Sequence, residues 1–231
     1  MIDLMLPDRS PTLLRRLLGT VALAFALSAG LDVSTAHAQG CSFNGTLNTN
    51  TEQLAKGEPV QGNPDADLLL TEFFDPNCPH CQRFKPVMDK VMAQYGDHVR
   101  YYKQPLPLWP FSRPQVQAML LAKEKGKYYE MIDAQLTSPN AGQGGMTIDQ
   151  IVNLAADVGI DSDWMRSRLQ SNAKQAAVNR LPYEARQAGV DSTPTLAIGQ
   201  KVVPSRSPAC IGRLIEQELS SGQTTSSAGG R

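Results

Sequence analysis

Cys78 and Cys81 stand two residues apart in the stretch EFFDPNCPHCQRF, residues 72–84, with Pro79 and His80 between them and Glu72 six residues ahead. Such a pair can be half of a metal site, a small structural staple, or a dithiol that exchanges electrons. A structural zinc asks for four Cys or His ligands. Past residue 38 the chain offers only Cys41, Cys210, His80 and His98 besides the pair, and no second CxxC. No metal is expected, and zinc on the four cysteines is the lesser alternative. A bridge across so short a loop removes little chain entropy and would stabilise weakly.

The dithiol reading has a physical reason at each neighbour. Cys78 falls where a strand gives way to a helix, and free N–H groups and the helix dipole there favour an anion. A thiolate in that setting has a depressed pKa. Pro79 suits the first helical turn because its missing N–H would have had no partner. His80 brings an imidazole able to carry charge or donate a hydrogen bond to the sulfur. Stabilising the thiolate stabilises the reduced pair, which makes its disulfide more oxidising. Cys81, one turn in, is the protected resolving thiol. Glu72 shares a strand face with Leu68, Leu70 and Phe74 and is expected in largely apolar surroundings, as a proton acceptor when the disulfide changes state. The competing reading places it at a strand end facing water.

These residues need a frame, and the hydrophobic pattern supplies one. Residues 68–74 form a nearly continuous apolar run, the pattern of a strand buried on both faces. Phe84, Val87, Met88, Val91, Met92 and Tyr95 then make a helical stripe, with Pro86 inside it. A second strand starts at Val99 and ends at the prolines of VRYYKQPLPL. Residues 112–188 show helical periods only, with a capping box at Thr147 and Gln150 and a cap at Asp161. PTLAIGQKVV reads as a hairpin turning at Gly199 and Gln200. A last amphipathic helix carries Ile211, Leu214, Ile215 and Leu219. The predicted fold class is α/β. Its parts are a polar N-terminal segment (39–66), a sheet domain (67–111 and 189–219), a helical insertion (112–188) and a disordered tail (220–231).

Residues 1–38 read as a cleaved signal peptide. Arg15 and Arg16 precede 15 uncharged residues, too few for the roughly 20 of a membrane span, and Ala36-His37-Ala38 has the small residues of a cleavage site. A twin-arginine signal or lipidation at Cys41 fits less well than simple export. Export places the cysteines in an oxidising compartment, where disulfides persist. A Cys41–Cys210 disulfide is the simplest pairing there, against two free thiols or an intermolecular bond. The 231 residues carry 22 basic and 22 acidic side chains, which leaves no electrostatic case for nucleic acid.

FFDPNCPHC resembles the active site of the DsbA-like thiol:disulfide oxidoreductases of the thioredoxin superfamily, and Cys-Pro-His-Cys is that family's tetrapeptide. GVDSTPT, residues 189–195, resembles the loop that carries the family's cis-proline. Pro86 matches the proline inside the thioredoxin helix, and Glu72 matches the family's buried acid. The resemblance implies a thioredoxin-like fold with a helical insertion. It implies that Thr193 and Pro194 lie against the CxxC and offer backbone groups to a bound substrate strand.

The expected activity is therefore periplasmic oxidation of cysteines in unfolded or partly folded proteins, without metal or organic cofactor, by a monomer recharged by a quinone-linked membrane partner. Two alternatives stay open. Threonine before the proline and the FFDPN lead-in look more like the isomerase and reductase branch, although residues 39–65 are too few for its dimerisation domain. A binding or holdase module with a structural CxxC is the other. Trp109 and Phe111, in PLPLWPFSRP, border a substrate groove or simply pack.

Overall fold

The computed structural model describes residues 41–142 and 144–227. The signal peptide read over residues 1–38 and the last residues of the tail lie outside them. Strand β1 (Gln61–Gly62) is two residues long, and β2 (Leu68–Phe74) occupies the apolar run. Helix α1 (Thr51–Ala55) precedes both, capped by the Asn50 side chain, which accepts the Glu52 N–H. After β2 come α2 (Pro79–Tyr95) and β3 (Val99–Pro105). Five helices follow: α3 (Arg113–Lys123), α4 (Tyr128–Thr137), α5 (Ile148–Asp157), α6 (Ser162–Gln170) and α7 (Gln175–Gln187). Strands β4 (Thr195–Ile198) and β5 (Lys201–Val202) form the hairpin, and α8 (Pro208–Ser227) closes the chain.

The sheet order is β1-β3-β2-β4-β5, with β2 parallel to β3 and antiparallel to β4. Alternation along β2 explains the layers. Leu68 and Leu70 pack with Phe84, Met88 and Val91 of α2 and with Ile211, Leu214 and Ile215 of α8. Leu69 and Phe73 point the other way, toward Ala55 of α1 and toward Leu106, Ala185 and Ala188. Burying a Leu, Ile or Phe completely contributes about 1.5–3 kcal/mol each, so both layers are held by their apolar stripes. Helices α2 and α8 approach so closely at Gly212 that a Cβ there would lie 2.6 Å from the Tyr95 hydroxyl. The insertion packs Met119, Leu121, Met131, Ile132, Ile151 and Met165 into a core that also contains Phe74, Cys78 and Cys81.

The local signals read from sequence form as expected at the caps. Thr147 Oγ1 accepts the Gln150 N–H and Gln150 Oε1 accepts the Thr147 N–H, while Asp161 Oδ1 accepts the Trp164 N–H. Two expectations change. The polar segment before residue 66 is part of the sheet at both edges: β1 pairs with β3, and Thr46 bridges to Lys201 of β5. Its side chains give no strand pattern because it is held by backbone hydrogen bonds, among them Leu47 N–H to Gln200 O and Val202 N–H to Gly45 O. The tail is helical up to Ser227, beyond the boundary expected at residue 219. Ser220 and Ser221 hydroxyls donate to the Glu216 and Glu218 carbonyls of their own helix, so serine does not divert the backbone there.

Cys41 and Cys210 are joined in a disulfide that spans 169 residues and ties the N-terminal segment to α8. Replacing both by alanine is expected to lower stability by about 2–4 kcal/mol, because the unfolded chain regains the entropy of an open loop. Urea unfolding of the variant measures this, and unfolding of the unaltered protein in reductant should show the same shift.

Candidate active site

Cys78 is the N-cap residue of α2 and Pro79 occupies the first helical position, so the turn forms without any lost donor. The Cys81 and Gln82 N–H groups donate to the Cys78 carbonyl at 2.9 and 3.1 Å, which sets the sulfur over the helix terminus. Both cysteines are unbonded thiols and both are buried, Cys78 at 4% exposure and Cys81 at 0%. The Cys78 thiol is lowered to about 5, first by a hydrogen bond from the Cys81 thiol. Burial opposes this, while the Thr193 side chain and the backbone N–H groups of Cys81 and His80 add to it. Burial and its role as donor to Cys78 push the Cys81 thiol far up, and the Glu72 charge adds to the same direction. One proton is thus placed unequally between the two sulfurs: Cys78 holds the negative charge and Cys81 keeps its hydrogen.

The peptide bond Thr193–Pro194 is cis, and Thr193 O lies 3.4 Å from Cys78 Sγ. The Thr193 hydroxyl is buried without a hydrogen-bond partner, and the Thr193 side chain adds to the lowering of the Cys78 thiol. Two segments 115 residues apart therefore meet at one sulfur.

Glu72 is fully inside, not at a wet strand end, at 1% exposure. Its surroundings are more polar than the alternation of β2 suggests. It sits opposite Lys103 in the β2–β3 register, with Lys103 Nζ 3.5 Å from Glu72 Oε2, and the Tyr101 hydroxyl donates to the same oxygen. Lys103 is itself 3% exposed and its ammonium lies over the Phe74 ring, 5.0 Å from its centroid. A buried ion pair thus stands beside Cys81, with Glu72 Oε1 unbonded.

His80 differs from expectation. Its side chain is exposed, and its Nδ1 faces Arg83 Nη2 at 3.1 Å. Arginine can only donate, so Nδ1 accepts there. His80 reaches the Cys78 sulfur through its backbone N–H. The imidazole lies on the outer face of the helix because position 80 points away from the sheet.

Sequence reading passed over Asp75, Lys103 and Tyr101. Asp75 lies within the quoted motif, but its partners come from residues 77, 108 and 112. In the loop after β3, Trp109 and Phe111 stack with centroids 5.6 Å apart and planes 7° from parallel, and they and Leu108 are exposed.

A thioredoxin family model matches residues 54–217. Among solved structures, the oxidised form of BdbD from Bacillus subtilis superposes with a TM-score of 0.66 at 22% identity, covering 72% of this chain and 95% of that one. The fold is thioredoxin-like. The thiol:disulfide interchange protein DsbA of Burkholderia cepacia is 22% identical over 191 residues, 81% of this chain and 86% of that protein. The Na(+)/H(+) antiporter NhaA of Herminiimonas arsenicoxydans is 27% identical over 139 residues, 60% of this chain. The match spans only 22% of that antiporter, and the chain covers less than a quarter of the length of the curated relatives it matches first.

Proposed function

We propose, for a chain that belongs to the thioredoxin family, that it is a thiol:disulfide oxidoreductase which oxidises cysteine pairs in exported proteins. The observation that carries this reading is the unequal pair: a Cys78 thiolate favoured down to about pH 5 beside a Cys81 thiol held protonated. In the oxidised protein the two sulfurs form the disulfide. A substrate thiolate attacks Cys78 Sγ, a mixed disulfide forms, and Cys81 leaves. Cys81 takes up a proton because its burial disfavours the anion, and Glu72 is the charged group that faces it. A second substrate thiolate then attacks the substrate sulfur of the mixed disulfide and expels Cys78, whose stabilised thiolate is a good leaving group. The substrate has lost two electrons and gained a disulfide; the protein holds them as the Cys78 thiolate and the Cys81 thiol.

Thr193 and Pro194 offer a backbone edge next to the sulfur where an extended substrate chain can align. Residues 108–111 add an apolar surface suited to unfolded protein. By family likeness, re-oxidation falls to a quinone-linked membrane protein, and the compartment is the periplasm. The thiol:disulfide interchange protein among the relatives supports this class of chemistry.

Direction is tested by the reduction potential in glutathione buffers. An oxidase is expected near the DsbA end of the range, about −120 mV, and a value near the thioredoxin end, about −270 mV, would replace it with a reductase or isomerase. Threonine at 193 is the observation that favours that second reading. A companion measurement follows the thiolate itself. The rate at which iodoacetamide alkylates reduced protein is expected to be half-maximal near pH 5. It is flat above that and falls below it as the sulfur protonates. A midpoint above pH 8 would remove the argument for a stabilised thiolate.

A further inference from the structure

Asp75 is completely buried, three residues before Cys78. Its Oδ1 accepts the Asn77 N–H at 2.7 Å and the Ser112 hydroxyl at 2.9 Å, and its Oδ2 accepts the Leu108 N–H at 2.7 Å. All three partners donate, which suits an ionised carboxylate. Its main-chain carbonyl accepts the Cys78 N–H at 3.1 Å. Asn77, also buried, extends the network: its Nδ2 donates to Ser112 Oγ at 3.1 Å and to Gln115 Oε1 at 2.7 Å, and the Met146 N–H donates to that same Gln115 oxygen. One side chain therefore bonds the loop leading into Cys78, the loop after β3, and the residue that opens the first helix of the insertion.

We propose that Asp75 is a positioning residue for the thiol–disulfide reaction: its carboxylate locks the Cys78 loop to the exposed Leu108, Trp109 and Phe111 surface, so that a substrate chain resting on that surface is held in register with the sulfur. The inference rests on the thiol–disulfide reading. Turnover of dithiothreitol by the unaltered protein tests that reading separately.

A second consequence is electrostatic. Burial raises the Asp75 carboxyl above the ordinary range and the charge on Cys78 adds to that rise, so a charged Asp75 and a charged Cys78 disfavour each other. The other ionisable groups around the pair are Cys81 on α2 and Glu72, Lys103 and Tyr101 on the strands beneath it, while the His80 ring is turned to Arg83. Asp75 thus opposes the thiolate while the helix terminus favours it.

The test compares Asp75→Asn and Ser112→Ala with the unaltered protein. Asp75→Asn is expected to lower kcat/KM for a peptide dithiol about tenfold, the scale of one or two net hydrogen bonds, and to change dithiothreitol turnover much less. The alkylation midpoint of reduced Cys78 is expected to move to lower pH, since a repelling charge is gone. Simple loosening of the helix terminus would move it to higher pH. Equal loss on both substrates, or a midpoint unmoved or raised, overturns the proposal. Ser112→Ala keeps the charge and removes two hydrogen bonds, the one to Asp75 and the one from Asn77, so it decides alone if Asp75→Asn does not fold. It is expected to weaken peptide turnover with the midpoint unchanged, and a midpoint that moves, or peptide turnover that does not fall, overturns the assignment.

Discussion

Cys78→Ser is expected to abolish oxidation of peptide dithiols, with kcat/KM falling by roughly 10⁴-fold or more, the scale seen when an enzyme loses its nucleophile. A serine oxygen forms no disulfide, so neither the mixed intermediate nor the electron transfer exists. Cys81→Ser should behave differently. It cannot form the Cys78–Cys81 disulfide, so it too should fail to oxidise a dithiol. Given an oxidised peptide disulfide instead, its Cys78 thiolate attacks one peptide sulfur and expels the other as a thiolate. That mixed disulfide should accumulate, because the Cys81 thiol that would displace the peptide is absent, and be visible on a non-reducing gel. The pair of outcomes separates the enzymatic reading from a binding module, which would keep its function in both variants. Fluorescence of a peptide that gains a disulfide gives the rate, and circular dichroism checks the fold. Retention of turnover within tenfold of the unaltered protein in Cys78→Ser would sink the mechanism.

Lys103→Met is expected to cost about 3–5 kcal/mol of stability, the range for removing one partner of a buried ion pair. Lys103 and Glu72 are 3% and 1% exposed, so water cannot take over the lost contact. The Tyr101 hydroxyl remains as a donor, but it cannot cancel a charge. A double variant, Glu72→Leu with Lys103→Met, should recover most of the loss, since apolar replacement of a whole buried pair is often neutral or stabilising. Urea unfolding at pH 7 measures the single and the double variant. A single-variant loss below about 1 kcal/mol, the scale of an exposed pair, would mean that the pair is solvated in solution.

Much of the fold was legible because its signals are local. The unbroken apolar run of β2, the stripe from Phe84 to Tyr95, the capping box at Thr147 and the turn at Gly199 each depend on residues within a few positions of one another. Cys78 and Cys81 were legible for the same reason, since a helix N-terminus and a protected second thiol follow from spacing alone. Cys41 and Cys210 were the leading pair because export and elimination left few others.

Other parts were decided by tertiary structure. Glu72 meets Lys103 because β2 and β3 lie parallel in one particular register, and a shift of one residue would turn the two side chains to opposite faces. Residues 44–62 join the sheet through backbone groups, which carry no side-chain signature. His80 sits at the right sequence distance from Cys78 to help its thiolate, yet the helix directs the ring outward to Arg83 and leaves only its N–H in place. Asp75 sits in plain view within the motif, but its donors are 2, 33 and 37 residues away. By itself, the sequence determined which atoms are able to react, because reactivity at a helix terminus is a matter of near neighbours. Only the tertiary structure decided which charges and donors surround those atoms, because hydrogen bonds and ion pairs depend on separation in space and chain folding is what sets it.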